Sequence, residues 1–146
     1  MKEITLPFEG AKIENHIKHK NKPNYKNIQA ISMLRNEESY ITGHEFLERL
    51  EEQKVDLLNG DDLDYLLKNQ ELIPNDLKGK YLYAFGSIFS WCEADFYVRS
   101  AFIRKGVWVL DFYGLDRGFR EYSLALSFAK TENLNSDSLN LKTIDA

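Results

Sequence analysis

Between Lys80 and Phe128 large apolar residues alternate with small or polar ones at a period of two, whereas between Ile41 and Leu67 the spacing is helical. A strand over 80–91 puts Tyr81, Tyr83, Phe85, Ser87, Phe89 and Trp91 on one face, and Leu82, Ala84, Gly86, Ile88 and Ser90 on the other. A second strand, 96–104, follows the turn Cys92–Asp95. Pairing Trp91 with Phe96 places Phe96, Val98, Ser100 and Phe102 on the aromatic face. At Arg104-Lys105-Gly106 a two-residue turn requires positive φ at Lys105 as well as Gly106, and Lys is poor there. A three-residue loop is therefore expected, pairing Ile103 with Val107. It adds Trp108, Leu110 and Phe112 to the aromatic face and keeps Asp111 off it, where burial costs several kcal/mol. The same reasoning at Asp116-Arg117-Gly118 pairs Leu115 with Phe119. It predicts a fourth strand over 119–128, with Tyr122, Leu124, Leu126 and Phe128 inward and Ser123, Ala125 and Ser127 outward. A helix over 119–130 is the competing reading.

Two helices precede the strands. Thr42 and Glu45 have capping-box spacing, Ile41 and Phe46 the spacing of a hydrophobic staple, and Phe46, Leu47 and Leu50 form a stripe over 41–54. After Asn59-Gly60, Asp61 is the expected N-cap of a helix burying Leu63, Leu66 and Leu67, with Asp62 and Asp64 favourable in its first turn. Pro74 ends the helical region, and 76–80 reads as a turn. Residues 28–35 suggest a short helix, and Ile4, Leu6 and Phe8 a short strand within 1–10.

The predicted fold class is α+β: an N-terminal helical segment packed on one face of a four-stranded antiparallel β-meander. Residues 1–40 read as a basic arm or loosely structured N-terminal segment, 41–130 as the core domain and 131–146 as a flexible tail. The other sheet face carries a central row Gly86, Ala101, Val109 and Ala125. Beside it lie Tyr97, Arg99, Asp111, Tyr113 and Glu121, with Arg99 and Asp111 expected as a cross-strand pair. A smooth floor edged by Tyr and Arg suits docking of another protein or of a second copy. The bland alternative is a solvent-facing sheet side.

Apolar residues make up 43% of the 146 and no run reaches the roughly 18 residues of a membrane span. Met1–Gly10 lacks the apolar stretch of a signal peptide. The single cysteine, Cys92, excludes an internal disulfide framework, and a cytoplasmic location is expected. Charge is segregated. Residues 12–35 carry six basic residues against Glu14, and 36–76 carry twelve acids against Arg49, Lys54 and Lys68. Lys12, Lys18, Lys20, Lys22 and Lys26, with Tyr25 for stacking, give a second expectation: a single-stranded nucleic-acid binder.

Catalytic signals are sparse. There is no phosphate-binding glycine loop and no nucleophile elbow. Cys92 is followed by Glu93 and Asp95, acids that oppose a thiolate. His16 and His19 have metal-ligand spacing on a helix, but the neighbouring lysines oppose a cation, so a surface pair is expected. Asp61, Asp62 and Asp64 lack the glycine and distal glutamate of a calcium loop. No metal and no cofactor are expected. An enzyme with an unrecognised site is the third reading.

Leu72-Ile73-Pro74, Leu77-Lys78-Gly79-Lys80, Phe85-Gly86-Ser87-Ile88, Val98, Trp108-Val109-Leu110-Asp111-Phe112, Leu115, Phe119, Tyr122, Leu124 and Ala125 together resemble a family of small uncharacterised bacterial proteins. That family has a Leu-Leu helix, an Ile-Pro turn, a Gly-Thr-Val strand and a Trp-rich final hairpin. The resemblance spans about residues 57–125. Ser87 stands where Thr is usual and Phe119 where Trp is usual. It implies no activity, and the expected function is a non-enzymatic interaction module.

Overall fold

The computed structural model describes residues 6–7, 9–20, 22–92 and 94–129. In chain order its strands are Lys12–His16 (β1), Ile28–Ile31 (β2), Ile41–Thr42 (β3), Tyr81–Trp91 (β4), Asp95–Arg104 (β5), Val107–Gly114 (β6), Gly118–Phe119 (β7) and Ser123–Phe128 (β8). Its helices are Gly43–Glu52 (α1) and Gly60–Lys68 (α2). The main sheet runs β2-β8-β4-β5-β6, with β1 pairing the second half of β4. β3 and β7 form a separate two-stranded ladder.

This overturns the expected four-stranded antiparallel meander with helices on one face. The main sheet has six strands and is mixed, because β8 runs parallel to β4 through Tyr81↔Ser123, Leu82↔Leu124 and Tyr83↔Ala125. β8 does not follow β6 at the sheet edge. Gly118 and Phe119 instead pair with Thr42 and Ile41, and the chain returns on the other side of β4. Ser123, Ala125 and Ser127, expected outside, are all buried. An interior strand covered on both faces needs small residues where its neighbours are bulky, and Tyr83 and Phe119 are the bulk here.

Residues 28–31, expected as helix, form β2 antiparallel to β8, while Lys12–His16 pair with β4 between Ser87 and Ser90. Ile4 and Phe8 of the expected first strand lie outside the described residues, as do residues 131–146.

The register also differs. Trp91 pairs with Asp95 and Ser90 with Phe96. Arg104 pairs with Val107 and Ile103 with Trp108, so Lys105 and Gly106 form the two-residue turn rejected on sequence grounds, at φ 53 and 81. Placing Lys in the left-handed region costs roughly 1–2 kcal/mol. The ladder gained and the burial of Ala101 opposite Leu110 oppose that cost. The burial penalty assigned to Asp111 does not arise, because β6 is an edge strand and Asp111 is exposed.

A bulge completes the correction. β4 and β5 pair at Ala84↔Arg99 and resume at Ile88↔Val98, so Phe85, Gly86 and Ser87 face a single step of β5 and the strand changes face. Gly86, Ala101, Val109 and Ala125 therefore do not form a row. Phe85 stacks on Phe46 of α1 at 4.9 Å, while Phe89 meets Phe112 edge-on at 5.3 Å. Both sheet faces are covered. α1, β3 and β7 bury Phe46, Leu50, Tyr83, Phe85 and Phe119 on one side; α2 buries Leu58, Leu63, Leu66, Leu82 and Leu126 on the other.

Thr42 caps α1 by accepting the Glu45 N–H at 3.2 Å. The expected reciprocal half of the box is replaced, because the Glu45 carboxylate accepts from Arg49 Nε at 2.8 Å. Arg49 also donates to the Met33 carbonyl at 2.8 Å and forks onto Glu38 at 2.7 and 2.9 Å. The Arg49 fork, with the Arg35 N–H, holds the Glu38 carboxyl down at about 2 from an ordinary 4.5. A depressed carboxylate contributes stability above its unfolded value, and loses it as pH falls through the folded one. Glu38→Gln should therefore narrow its stability deficit against wild type as pH drops from 4.5 toward 2. Urea unfolding across that window checks this, and a deficit independent of pH would contradict it.

Candidate functional site

Three places gather polar or aromatic side chains. The first is a cleft of about 320 Å³ on the α1 side of the sheet, where β4, β5 and β6 lie side by side. The register sets Tyr83, Ser100 and Asp111 in one row across three strands. Tyr81 stacks on Phe102 at 5.1 Å, and Tyr83 packs against Tyr113 at 5.7 Å. Arg104 lies over Phe102 at 5.2 Å and Arg117 over Tyr113 at 5.5 Å. Tyr97 and Gly114 complete the wall. Burial pushes the Tyr83 phenol above its ordinary value, so it stays a neutral hydroxyl.

Three of the five residues expected to bind a partner, Tyr97, Asp111 and Tyr113, line this cleft. Arg99 does not. It pairs in register with Phe112 instead of Asp111, and neighbouring positions on a strand point to opposite faces. Arg99 is buried, donates to Asp64 of α2 at 3.0 Å and lies over the Phe112 ring at 4.4 Å. The expected Arg99–Asp111 pair is thus replaced by a staple between α2 and the sheet. Glu121 stands exposed in the turn before β8.

The second place is a cleft of about 480 Å³ beside the end of β8, with Lys18, Lys20 and Lys22 on its rim. Lys12 lines a different cleft, next to Glu14 and Trp91. Lys26 is exposed on the short 3₁₀ turn Tyr25–Asn27.

The third is a polar knot between residues 16–25 and the start of α2. Asn59, not Asp61, caps α2: its side chain accepts the Asp62 N–H at 2.9 Å and the Asp62 carboxylate accepts the Asn59 N–H at 2.8 Å. The same buried carboxylate accepts from His19 Nε2 and from the Tyr25 hydroxyl, each at 2.6 Å. A carboxylate only accepts, so Nε2 carries the hydrogen. Burial, then the Asp62 hydrogen bond and charge, push the Tyr25 phenol up. Asn59 Nδ2 donates to the Ile17 carbonyl at 2.8 Å. His16 Nδ1 lies 2.6 Å from Ser87 Oγ, and its Nε2 lies 3.5 Å from Asp61. His16 and His19, expected as a surface pair, are therefore part-buried ties.

Serine, imidazole and carboxylate in sequence invite comparison with a nucleophile and its base. Ser87 is fully buried, and its oxygen already accepts the Gly60 N–H at 2.7 Å, so it ties β4 to the start of α2 and to β1 and presents no attacking oxygen. Among the described residues no group of three or more His, Cys, Asp or Glu side chains is placed to hold a metal ion. No helix formed by them is long and apolar enough to cross a membrane.

One part of the knot carried a visible signal. Asn59 and Asp62 have capping-box spacing immediately before an apolar stripe. The link from His19 and Tyr25 to Asp62 spans 43 and 37 positions and has no local signature.

No protein-family model matches the chain, and neither a curated protein nor a solved structure matches it.

Proposed function

We propose that this protein is a non-enzymatic, cytoplasmic interaction module that receives an extended acidic segment of another protein in the tyrosine-lined cleft. The observation that carries this reading is the cleft itself, lined by Tyr81, Phe102, Tyr113 and Arg117, with the Arg104 guanidinium over Phe102 and that of Arg117 over Tyr113. Tyr and Arg supply most binding energy at protein interfaces, and guanidinium forks match carboxylates. The cleft opens beside β6, a sheet edge where an extended segment can add backbone hydrogen bonds. One edge donor, the Phe112 N–H, is already taken by the Asp111 carboxylate at 2.8 Å. The exposed lone thiol of Cys92 fits a reducing compartment.

Panning a random-peptide library on the full chain tests the proposal. Enriched peptides should carry acidic residues flanking an apolar or aromatic one. The exposed double variant Arg104→Glu/Arg117→Glu should weaken them by about tenfold or more, as charge reversal at an interface does. Peptides without acidic bias, or equal binding to the variant, would overturn it. A concentration-dependent dimer abolished by the same variant would make a second copy of the chain the occupant.

A further inference from the structure

The lysine-rimmed cleft is physically separate from the tyrosine cleft and has different chemistry. Its volume, about 480 Å³, lies within the roughly 300–1,000 Å³ of small-molecule sites. Lys18, Lys20 and Lys22 stand on one rim, and among the described residues no ion pair engages them. Among the described residues, Asp56 is the one carboxylate in the lining. Phe128 supplies an aromatic wall, held by His19 edge-on at 5.2 Å and by Tyr25 at 5.9 Å.

Three ammonium groups with no ion-pair partner among the described residues, in a chain of net charge −4, make a local positive field that attracts anions. The polar knot fixes the segment that carries them, since Asp62, Asn59 and Gly86 hold His19, Tyr25 and Ile17. The lysines thus project from an ordered support instead of a loose arm. That support limits the ligand, too. Among the described residues, Lys12 and Lys26 do not line the cleft, so its three lysines gather at one pocket instead of spreading along the five positions of the arm.

We propose that the cleft bounded by Lys18, Lys20, Lys22 and Phe128 binds a phosphorylated small molecule of nucleotide size, its phosphates on the lysines and its ring against Phe128.

Titration of the full chain with AMP, ADP and inorganic phosphate, followed by calorimetry and by backbone amide shifts, tests this. Saturable one-to-one nucleotide binding is expected, tighter for ADP than AMP, with the largest shifts at residues 17–27, 56 and 128–129. Lys18→Glu/Lys20→Glu, both exposed, should weaken it by about tenfold or more, and Asp56→Asn should tighten it by about twofold or more, as expected when like charge is added or removed. No saturable nucleotide binding, or binding unchanged in the charge-reversal variant, would overturn the proposal. So would AMP binding no tighter than phosphate, which would remove the role of the ring. An oligothymidylate bound at least about tenfold more tightly than ADP would make the ligand a strand.

Discussion

Gly86→Ala should destabilise the protein by about 3 kcal/mol or more, at the upper end of the overpacking range. A β-carbon at this position would stand 2.6 Å from the Leu58 carbonyl oxygen, 2.9 Å from its carbon and 3.0 Å from Asn59 Cα. All three are backbone atoms, so no side chain can turn aside. The contact is close because the Gly86 N–H donates to that same carbonyl at 2.8 Å, while the Gly86 carbonyl accepts from Ile17 at 2.7 Å. Separating the segments also disturbs Leu58 N–H to Leu126 and Gly60 N–H to Ser87, both in the interior. Gly79→Ala is the control, since nothing lies within 4 Å of its β-carbon. It should shift stability by about 0.5 kcal/mol or less, as surface changes do. Urea midpoints decide between these outcomes. Equal midpoints for the two variants would mean that the bulge does not need its glycine.

Asp62→Ala should cost about 3 kcal/mol by a different route. It removes the reciprocal half of the capping box, leaving the Asn59 N–H without its partner at about 1 kcal/mol, and strands part-buried donors on His19 and Tyr25, about 1–3 kcal/mol each when fully desolvated. Asp62→Asn should cost about half as much, because one of its two side-chain atoms still accepts and the other only donates. The damage should be local in its consequences. With the knot undone, protease cleavage within 18–26 should rise before global unfolding, and nucleotide binding at the lysine cleft should fall. The Tyr25 phenol should move back toward its ordinary value without reaching it, because burial, the largest cause of its shift, persists. Absorbance titration of tyrosine measures that shift. Unchanged proteolysis in Asp62→Ala would show that the segment is held by β1 and β2 alone.

Period-two alternation located all of β4, β5, β6 and β8 to within a few residues, and helical spacing located α1 and α2. These are local signals, set by which side chains share a face within one segment. Pairing was harder to read. The Lys105-Gly106 turn was decided by a backbone cost of roughly 1–2 kcal/mol, which the ladder beyond the turn outweighs. The small residues Ser123, Ala125 and Ser127 have the same appearance whether they face water or lie in the interior, where all three are buried. Their side of β4 depends on β7 leaving β6 to pair with β3.

The candidate sites divide in the same way. Asp111 and Tyr113 reached the cleft beside Tyr97 because the one-residue shift in register carried them to the Tyr83 and Ser100 side. Arg99 kept the side it shares with Ala84 and Ala101, and that side is the one α2 covers. The segment 12–31 carried few apolar residues and looked detached, yet polar bonds to Ser87, Asn59 and Asp62 hold it. Hydrophobic periodicity cannot register that kind of attachment.

The sequence by itself determined the α+β character, the strand and helix segments, and the separation of lysines from acids. Those follow from period and composition, which act over a few residues. Tertiary structure alone decided that the sheet is mixed, that helices cover both faces, and that the basic segment is tied to the acidic helix through Asp62. Each of these depends on partners tens of residues apart, chosen by burial and by hydrogen-bond satisfaction in the assembled core.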